Sequence, residues 1–118
     1  QAVAPLVDFP AHWAPNDLVF YDGDAYPAEY AGGAFVAFHG SWNRAPLPQA
    51  GYRVAFVPFT GGAPTGEWST FAEGFPMGTV SPQGARYRPT GLAVAPDGSL
   101  IIVDGKEGRI WRVVHTGE

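Results

Sequence analysis

Short apolar stretches separated by glycine and proline turns are the feature that most constrains the fold of this chain. The sequence has 16 Gly and 12 Pro in 118 residues, and both are spread among the apolar residues. No stretch longer than about ten residues avoids Gly and Pro while keeping apolar residues at helical spacing. The pattern therefore predicts an all-β fold with many turns.

Strands are predicted wherever a short apolar run ends at a turn. Turn signals such as Asp22-Gly23 and Pro96-Asp97-Gly98 bound these runs at short, regular spacing, which favours antiparallel sheets. The predicted strands are Asp17–Tyr21, Ala34–His39, Tyr52–Phe59, Thr90–Ala95, Ser99–Val103 and Arg109–Val114.

The chain also has a weak internal repeat. The segments 10–60 and 68–116 each contain a strand, an Asp-Gly turn, a second strand, another turn and a third strand. This order is typical of β-propeller blades, so we predict a partial propeller of about two blades. An ordinary β-sandwich is the alternative. About two blades cannot close a ring and would leave open sheet edges, so other blades or other chains would have to complete it.

Composition excludes several classes of function. The net charge is −4 and the basic residues are not clustered, so nucleic-acid binding is not expected. No apolar run approaches the roughly 20 residues that a membrane-spanning helix needs. The absence of Cys excludes disulfides and thiolate metal sites.

Two cations stand out by their spacing. Arg86 and Arg88 are two residues apart, and on an extended strand that spacing places both side chains on one face. Arginine suits carboxylate ligands because its planar group donates two parallel hydrogen bonds. The alternative is a pair of solvated loop cations.

Three stretches of the chain carry a family resemblance. They are AHWAP (11–15) with FYDG (20–23); HGSWNR (39–44) with GYRV (51–54); and RYRPTGLA (86–93) with PDGSL (96–100) and GRIWRV (108–113). In this order the chain resembles the C-terminal segment of the glucose/sorbosone dehydrogenase family. Those enzymes depend on pyrroloquinoline quinone (PQQ), and the family includes soluble aldose sugar dehydrogenase-like proteins.

The resemblance implies a six-bladed propeller that holds PQQ and Ca²⁺ and oxidises sugars or aldehydes, in the periplasm or after secretion. In that family the catalytic histidine and the calcium ligands belong to earlier blades. No catalytic residue and no metal ligand is therefore assigned here. The chain is expected to be a closing segment, too short to be the whole enzyme and inactive by itself.

The resemblance also implies four cofactor contacts. Arg86 and Arg88 match ligands of the cofactor carboxylates, and Asn43 or Arg44 lies where the family has a cation near the quinone. A charged donor there would stabilise negative charge on the reduced quinone. The alternative for Asn43 and Arg44 is a pair that closes the turn before Pro46.

Two neighbouring aromatic side chains have competing interpretations. Trp42 either stacks on the cofactor or covers the mouth of its pocket, or it packs within its own loop. His39 ends a predicted strand, and we expect it to bond a neighbouring backbone group instead of acting as a base.

Three functions remain open. The first is a part of a PQQ-dependent sugar or aldehyde dehydrogenase. The second is a non-enzymatic propeller module that assembles from several chains and binds a glycan or an anionic ligand. The third is an accessory subunit of a larger complex, which would make contact through its aromatic loops.

Overall fold

The structure is a computed structural model that describes residues 2–117, and its regular secondary structure is almost entirely β-strand. In chain order the elements are β1 (Pro15–Phe20), a 3-10 helix (Ala28–Tyr30), β2 (Ala34–Phe38), β3 (Arg53–Val57), β4 (Phe59–Thr60), β5 (Ala63–Pro64), β6 (Ser69–Ala72), β7 (Pro89–Val94), β8 (Leu100–Asp104) and β9 (Ile110–Val113). Each strand predicted from the sequence is present, with ends that differ by a few residues.

Two antiparallel sheets form the body of the fold. The first has the strand order β1-β2-β3-β6 and the second β7-β8-β9, while β4 and β5 form a small separate hairpin. The predicted strand Tyr52–Phe59 runs across the break between β3 and β4, and the sequence pattern missed β5 and β6 because the segment 60–70 is rich in Gly and polar residues. Strand β6 begins at Ser69, within the segment predicted as the second unit, and it pairs with β3 of the first sheet.

The sheets are joined by an apolar core and by tyrosine hydroxyls within it. The Tyr21 hydroxyl donates to the Gly98 carbonyl at 2.7 Å, and that of Tyr26 donates to the Val113 carbonyl at 2.6 Å. These bonds leave the buried hydroxyls satisfied. The buried side chains of this core are Tyr21, Tyr26, Phe35, Val54, Phe56, Phe75, Tyr87, Leu100 and Ile102.

A second apolar cluster lies on the opposite face of the first sheet. Here the segment 7–13 packs against β2, and the Trp13 ring meets the Phe38 ring edge to face at 5.3 Å between centroids. The N-terminal segment thus covers part of a face that β1, β2 and β3 would otherwise expose.

The prediction of an all-β, antiparallel fold is confirmed. The arrangement of the sheets as propeller blades stays a prediction, because residues 2–117 form two main sheets with one small hairpin and no closed ring. In the same residues, no helix has the length and apolar character needed to cross a membrane.

Candidate functional site

The loops at one end of the two sheets bring together all four cofactor contacts predicted from the sequence. These loops span 39–52, 73–88 and 105–109, and we call them the loop end. They share one end because successive strands in each antiparallel sheet reverse direction. Asn43, Arg44, Arg86 and Arg88 all lie here.

Arg88 is held in place by backbone carbonyls of the other sheet. Its Nε donates to the His39 carbonyl at 2.9 Å and its Nη2 to the Gly40 carbonyl at 2.7 Å. The guanidinium carbon lies 5.2 Å from the centre of the Tyr52 ring. Nη1 forms no hydrogen bond with any of residues 2–117, so one part of the guanidinium is oriented while another still has N–H groups to donate.

Tyr52 packs against the Arg88 guanidinium and bonds the loop that follows β2. Its side chain is 2% exposed, its hydroxyl donates to the Ser41 carbonyl, and its backbone has a φ of 50°. A Cβ at Gly40 would lie 2.3 Å from the Tyr52 ring, so the close approach requires glycine there. A residue other than glycine is held in this backbone region only where its surroundings enforce it.

Asp104 holds the loop end together from the second sheet. It is 3% exposed, and its carboxylate accepts from the backbone N–H groups of Arg88 at 2.7 Å, of Glu107 and of Gly108 at 2.9 Å. Burial by itself raises the pKa of Asp104, but hydrogen bonds from the Arg88 and Glu107 backbones outweigh it and keep the pKa below its ordinary value. Asp104 is therefore an anion at neutral pH.

Arg86 differs from Arg88 in its exposure and partners. Half of its side chain is exposed, its Nε lies 3.8 Å from Glu107 Oε2, and its guanidinium carbon lies 5.1 Å from the centre of the Tyr87 ring. An exposed ion pair of this length holds a side chain weakly. Strand β7 begins at Pro89, so the strand on which Arg86 and Arg88 would share a face does not include them.

Lys106 fixes the chain just before Arg86. Its Nζ donates to the carbonyls of Pro82 and Gln83 at 3.0 Å each and of Ala85 at 2.5 Å. An ammonium group has three donors, and here all of them point at one turn. This contact sets the path of the segment from which Arg86 projects.

Arg44 is engaged within its own part of the loop end. Its Nε donates to the Ala11 carbonyl at 3.0 Å and its Nη1 to the Pro48 carbonyl at 2.7 Å. These contacts agree with a role in closing the loop. Asn43 is exposed next to it. Trp42 is 73% exposed, which does not agree with the interpretation that it packs within its own loop.

His39 lies near enough to Arg88 and Asp104 for both charges to affect its pKa. Burial lowers its pKa below the ordinary value, and the positive charge of Arg88 lowers it further, while Asp104 opposes both. The expected hydrogen bond from its side chain to a backbone group is absent among residues 2–117. Its main chain makes such bonds instead, through its N–H to the Ala14 carbonyl and its carbonyl to Arg88.

We expect the His39 pKa to rise when Arg88 is replaced by leucine, because a nearby positive charge is removed. In Asp104→Asn it should fall, because a compensating negative charge is lost. Titration followed by NMR of the imidazole resonances measures both shifts. Arg112→Gln, which removes a cation paired with Asp97 at 2.7 Å, is the control and should leave His39 unchanged. A His39 pKa unaffected by Arg88→Leu would contradict the assignment of the cause.

A cavity of about 490 Å³ opens beside Tyr52. It lies between the segments 49–53 and 73–80, and polar side chains such as Gln49 and Glu73 share its lining with Met77. The loop end therefore has a concave surface of the kind that ligands occupy, and Arg53 is the cation in its lining; Asn43, Arg44, Arg86 and Arg88 lie outside that lining.

Sequence reasoning missed Tyr52, Asp104 and Lys106. Tyr52 was predicted as an ordinary strand residue and Asp104 as the start of a turn. One signal was available for Asp104: a carboxylate that directly follows a buried strand and precedes Gly105 and Gly108 is suited to accept backbone N–H bonds. Nothing in the pattern indicated that Tyr52 and Asp104 would both contact Arg88.

Comparison with known proteins places the chain in a family. The family model described as TrAA12-like matches residues 1–116. The chain belongs to the TrAA12-like family. A solved structure of a Trichoderma reesei protein of Carbohydrate-Active Enzymes Family AA12 superposes with a TM-score of 0.71 at 25% identity, over 92% of this chain and 26% of that one.

Curated relatives extend well beyond this chain. An uncharacterized protein of Borreliella burgdorferi is 32% identical over 114 residues, which are 96% of this chain and 29% of that protein. A pyrroloquinoline quinone-dependent pyranose dehydrogenase of Coprinopsis cinerea is 45% identical over 72 residues, 61% of this chain and 9% of the enzyme. This TrAA12-like chain thus spans less than a third of the length of each relative that it matches.

The assignment to the glucose/sorbosone dehydrogenase family is wrong, since the TrAA12-like model matches nearly the whole chain. The motifs behind that assignment shape loops: in HGSWNR, Ser41 and Arg44 bond the backbone of their own loop, and PDGSL forms a turn in which Asp97 bonds Ser99. Similar loops need similar residues, so short motifs of this kind do not separate one family from another.

Proposed function

We propose that this TrAA12-like chain forms part of a PQQ-dependent oxidoreductase that acts on a pyranose or a related sugar, and that its loop end contacts the cofactor. The supporting observation is Arg88, whose guanidinium is oriented by the His39 and Gly40 carbonyls while its Nη1 bonds none of residues 2–117. The relationship to a PQQ-dependent pyranose dehydrogenase supports PQQ as the cofactor and a pyranose as the substrate class.

The residues of the loop end fit an anionic cofactor unequally. PQQ carries carboxylates, for which a pre-oriented guanidinium is a suitable partner. Arg88 meets this condition. Arg86 is exposed and only weakly paired, so its donors are available but are not oriented in advance. Asn43 is exposed and can donate an amide N–H, whereas Arg44 already donates to two backbone carbonyls. When bound, PQQ would accept the two electrons removed from the substrate hydroxyl.

The proposal includes further β-sheets on both sides of the described pair. Leu18 and Phe20 on one outer face, and Val103 and Ile110 on the other, are exposed apolar side chains at sheet positions. Further sheets would remove these surfaces from water, as in a propeller. They would come from the rest of a longer protein or from other copies of the chain, and they would supply any calcium site. A periplasmic or secreted location belongs to the same proposal.

Arg86→Gln tests whether Arg86 contacts the cofactor in addition to Arg88. We expect the Kd for PQQ, measured by quinone absorbance during titration, to rise by about tenfold, because one charge-assisted hydrogen bond is lost. Arg109→Gln is the matched control, since Arg109 is also exposed and also lies beside Tyr87, at 5.6 Å. An equal rise in the Kd for PQQ in Arg86→Gln and Arg109→Gln would mean that Arg86 acts only through its positive charge and makes no specific contact.

The wild-type protein gives the decisive result for the function as a whole. A folded protein that contains this chain together with the further sheets, yet binds no PQQ and oxidises no pyranose in a dye-linked assay with PQQ present, would contradict the proposal. Light scattering on the 118-residue chain by itself separates the ring of several copies from a single chain, because a stable 12.5 kDa monomer excludes the assembled ring.

A further inference from the structure

Trp42 projects from the loop end without a packing partner. It is 73% exposed, and no aromatic ring among residues 2–117 lies in contact with it. The other tryptophans are packed: Trp13 lies 5.3 Å from the Trp68 ring, and Trp111 lies 5.2 Å from the Phe75 ring, both between centroids. The chain therefore packs its other indoles against aromatic rings and keeps this one largely in solvent.

The backbone that carries Trp42 is fixed. The Ser41 Oγ donates to Gln49 Oε1 at 2.5 Å and accepts from the Ala50 N–H at 2.8 Å, and the Ser41 N–H donates to the Ala50 carbonyl at 2.8 Å. Arg44 joins the same loop to the Ala11 carbonyl. A ligand that contacts Trp42 would therefore not need to order the loop, which lowers the entropy cost of binding.

Trp42 also lies close to the proposed cofactor contact. It follows Gly40 by two residues, so the two Cα atoms are separated by at most about 7 Å. The Gly40 carbonyl in turn accepts from Arg88 Nη2 at 2.7 Å. The exposed indole and the oriented guanidinium thus occupy neighbouring positions at the loop end.

We infer that Trp42 is the surface on which the pyranose ring of the substrate stacks. This inference rests on the proposed function. One face of many pyranoses presents C–H groups, and a planar indole offers an apolar surface of matching size together with one N–H donor. Hydroxyl groups around the ring edge would remain free for polar partners. Trp42 would then contribute to the choice and orientation of the sugar without taking part in proton transfer.

The test compares three variants of the full-length protein with PQQ bound. Trp42→Ala should raise KM for the pyranose by about tenfold, with a smaller change in kcat and an unchanged Kd for PQQ. Trp42→Phe, which retains a stacking surface, should recover most of that loss. Leu47→Ala is the control, because Leu47 is an exposed apolar side chain in the same loop, 58% exposed.

Fluorescence quenching by acrylamide gives a readout that does not depend on turnover. Trp42 is the most exposed indole, so its emission should be quenched first, and a saturating pyranose should protect it. A rise in the Kd for PQQ in Trp42→Ala would place the indole on the cofactor and overturn the inference. An unchanged KM together with no protection would also overturn it, while PQQ binding by the wild type would leave the proposed function intact.

Discussion

Replacing Asp104 with alanine is expected to lower the free energy of unfolding by about 3 kcal/mol. The substitution leaves the backbone N–H groups of Arg88, Glu107 and Gly108 without their acceptor. An unsatisfied buried donor costs about 1 kcal/mol or more, and the exposure of residues 105–108 allows some of these groups to find water. Urea denaturation with an unchanged slope measures the loss.

Two other variants and a pH series test whether the lost carboxylate hydrogen bonds cause the loss of stability in Asp104→Ala. Asp104→Asn retains one acceptor oxygen and should lose less stability than Asp104→Ala. Asp22→Ala, which removes an exposed carboxylate at the opposite end of the sheets, should lose much less. Because the folded pKa of Asp104 is lowered, its contribution is present above the ordinary pKa and disappears as pH falls through the lower folded value. A stability difference from wild type that stays constant through acid pH would contradict this role.

The same substitution should affect the proposed site. Asp104 holds the backbone of Arg88, whose side chain reaches the carbonyls of His39 and Gly40. Without it, the guanidinium would no longer be oriented from the second sheet. We expect PQQ binding to weaken in Asp104→Ala even under conditions in which the protein remains folded.

Replacing Gly40 with alanine should cost about 4 kcal/mol of unfolding free energy, for two reasons. Gly40 has a φ of +99°, a backbone region that residues with a Cβ rarely adopt. The added Cβ would also lie 2.3 Å from the ring of Tyr52. Tyr52 is buried and held by its hydroxyl bond to Ser41, so the ring cannot move away without breaking other contacts.

Gly32→Ala is the matched control for the energetic cost of placing alanine at a positive φ. Gly32 has a φ of +77°, and a Cβ there would meet nothing within 4 Å. Its substitution should therefore show the conformational cost alone, about 1 kcal/mol. Thermal unfolding of both variants gives the difference that belongs to the Tyr52 contact. Equal losses for Gly40→Ala and Gly32→Ala would mean that the ring yields easily and that the clash has no energetic weight.

Local patterns predicted the strands and many turns correctly. Ala34–Phe38 is apolar at every position, and every residue of β2 is buried in the structure. Asp97-Gly98 was predicted as a turn, and Gly98 indeed has a φ of +88°. Strand β6 was missed because its residues, Ser69–Ala72, alternate only weakly and gain their strand character from pairing with β3. That pairing is a long-range contact, which a local pattern does not contain.

The sequence predicted only part of the candidate site, because local spacing does not show which hydrogen bonds a side chain makes in the folded protein. The spacing of Arg86 and Arg88 left an anion site and solvated loop cations open, and it could not indicate which donors each arginine would already have used. Arg88 has oriented donors because the second sheet places it against the His39 and Gly40 carbonyls, some fifty residues earlier in the chain. Arg44 has few donors left because it closes its own loop.

The sequence alone thus determined the short strands of this TrAA12-like chain, their turns and its all-β character, because these depend on Gly, Pro and apolar residues a few positions apart. It also placed the candidate cations in loops between strands. Only the tertiary structure decided that Asp104 and Tyr52 support Arg88, and that Trp42 stays exposed at the same end. Those contacts join residues far apart in the chain, and the packing of one sheet on the other brings them together.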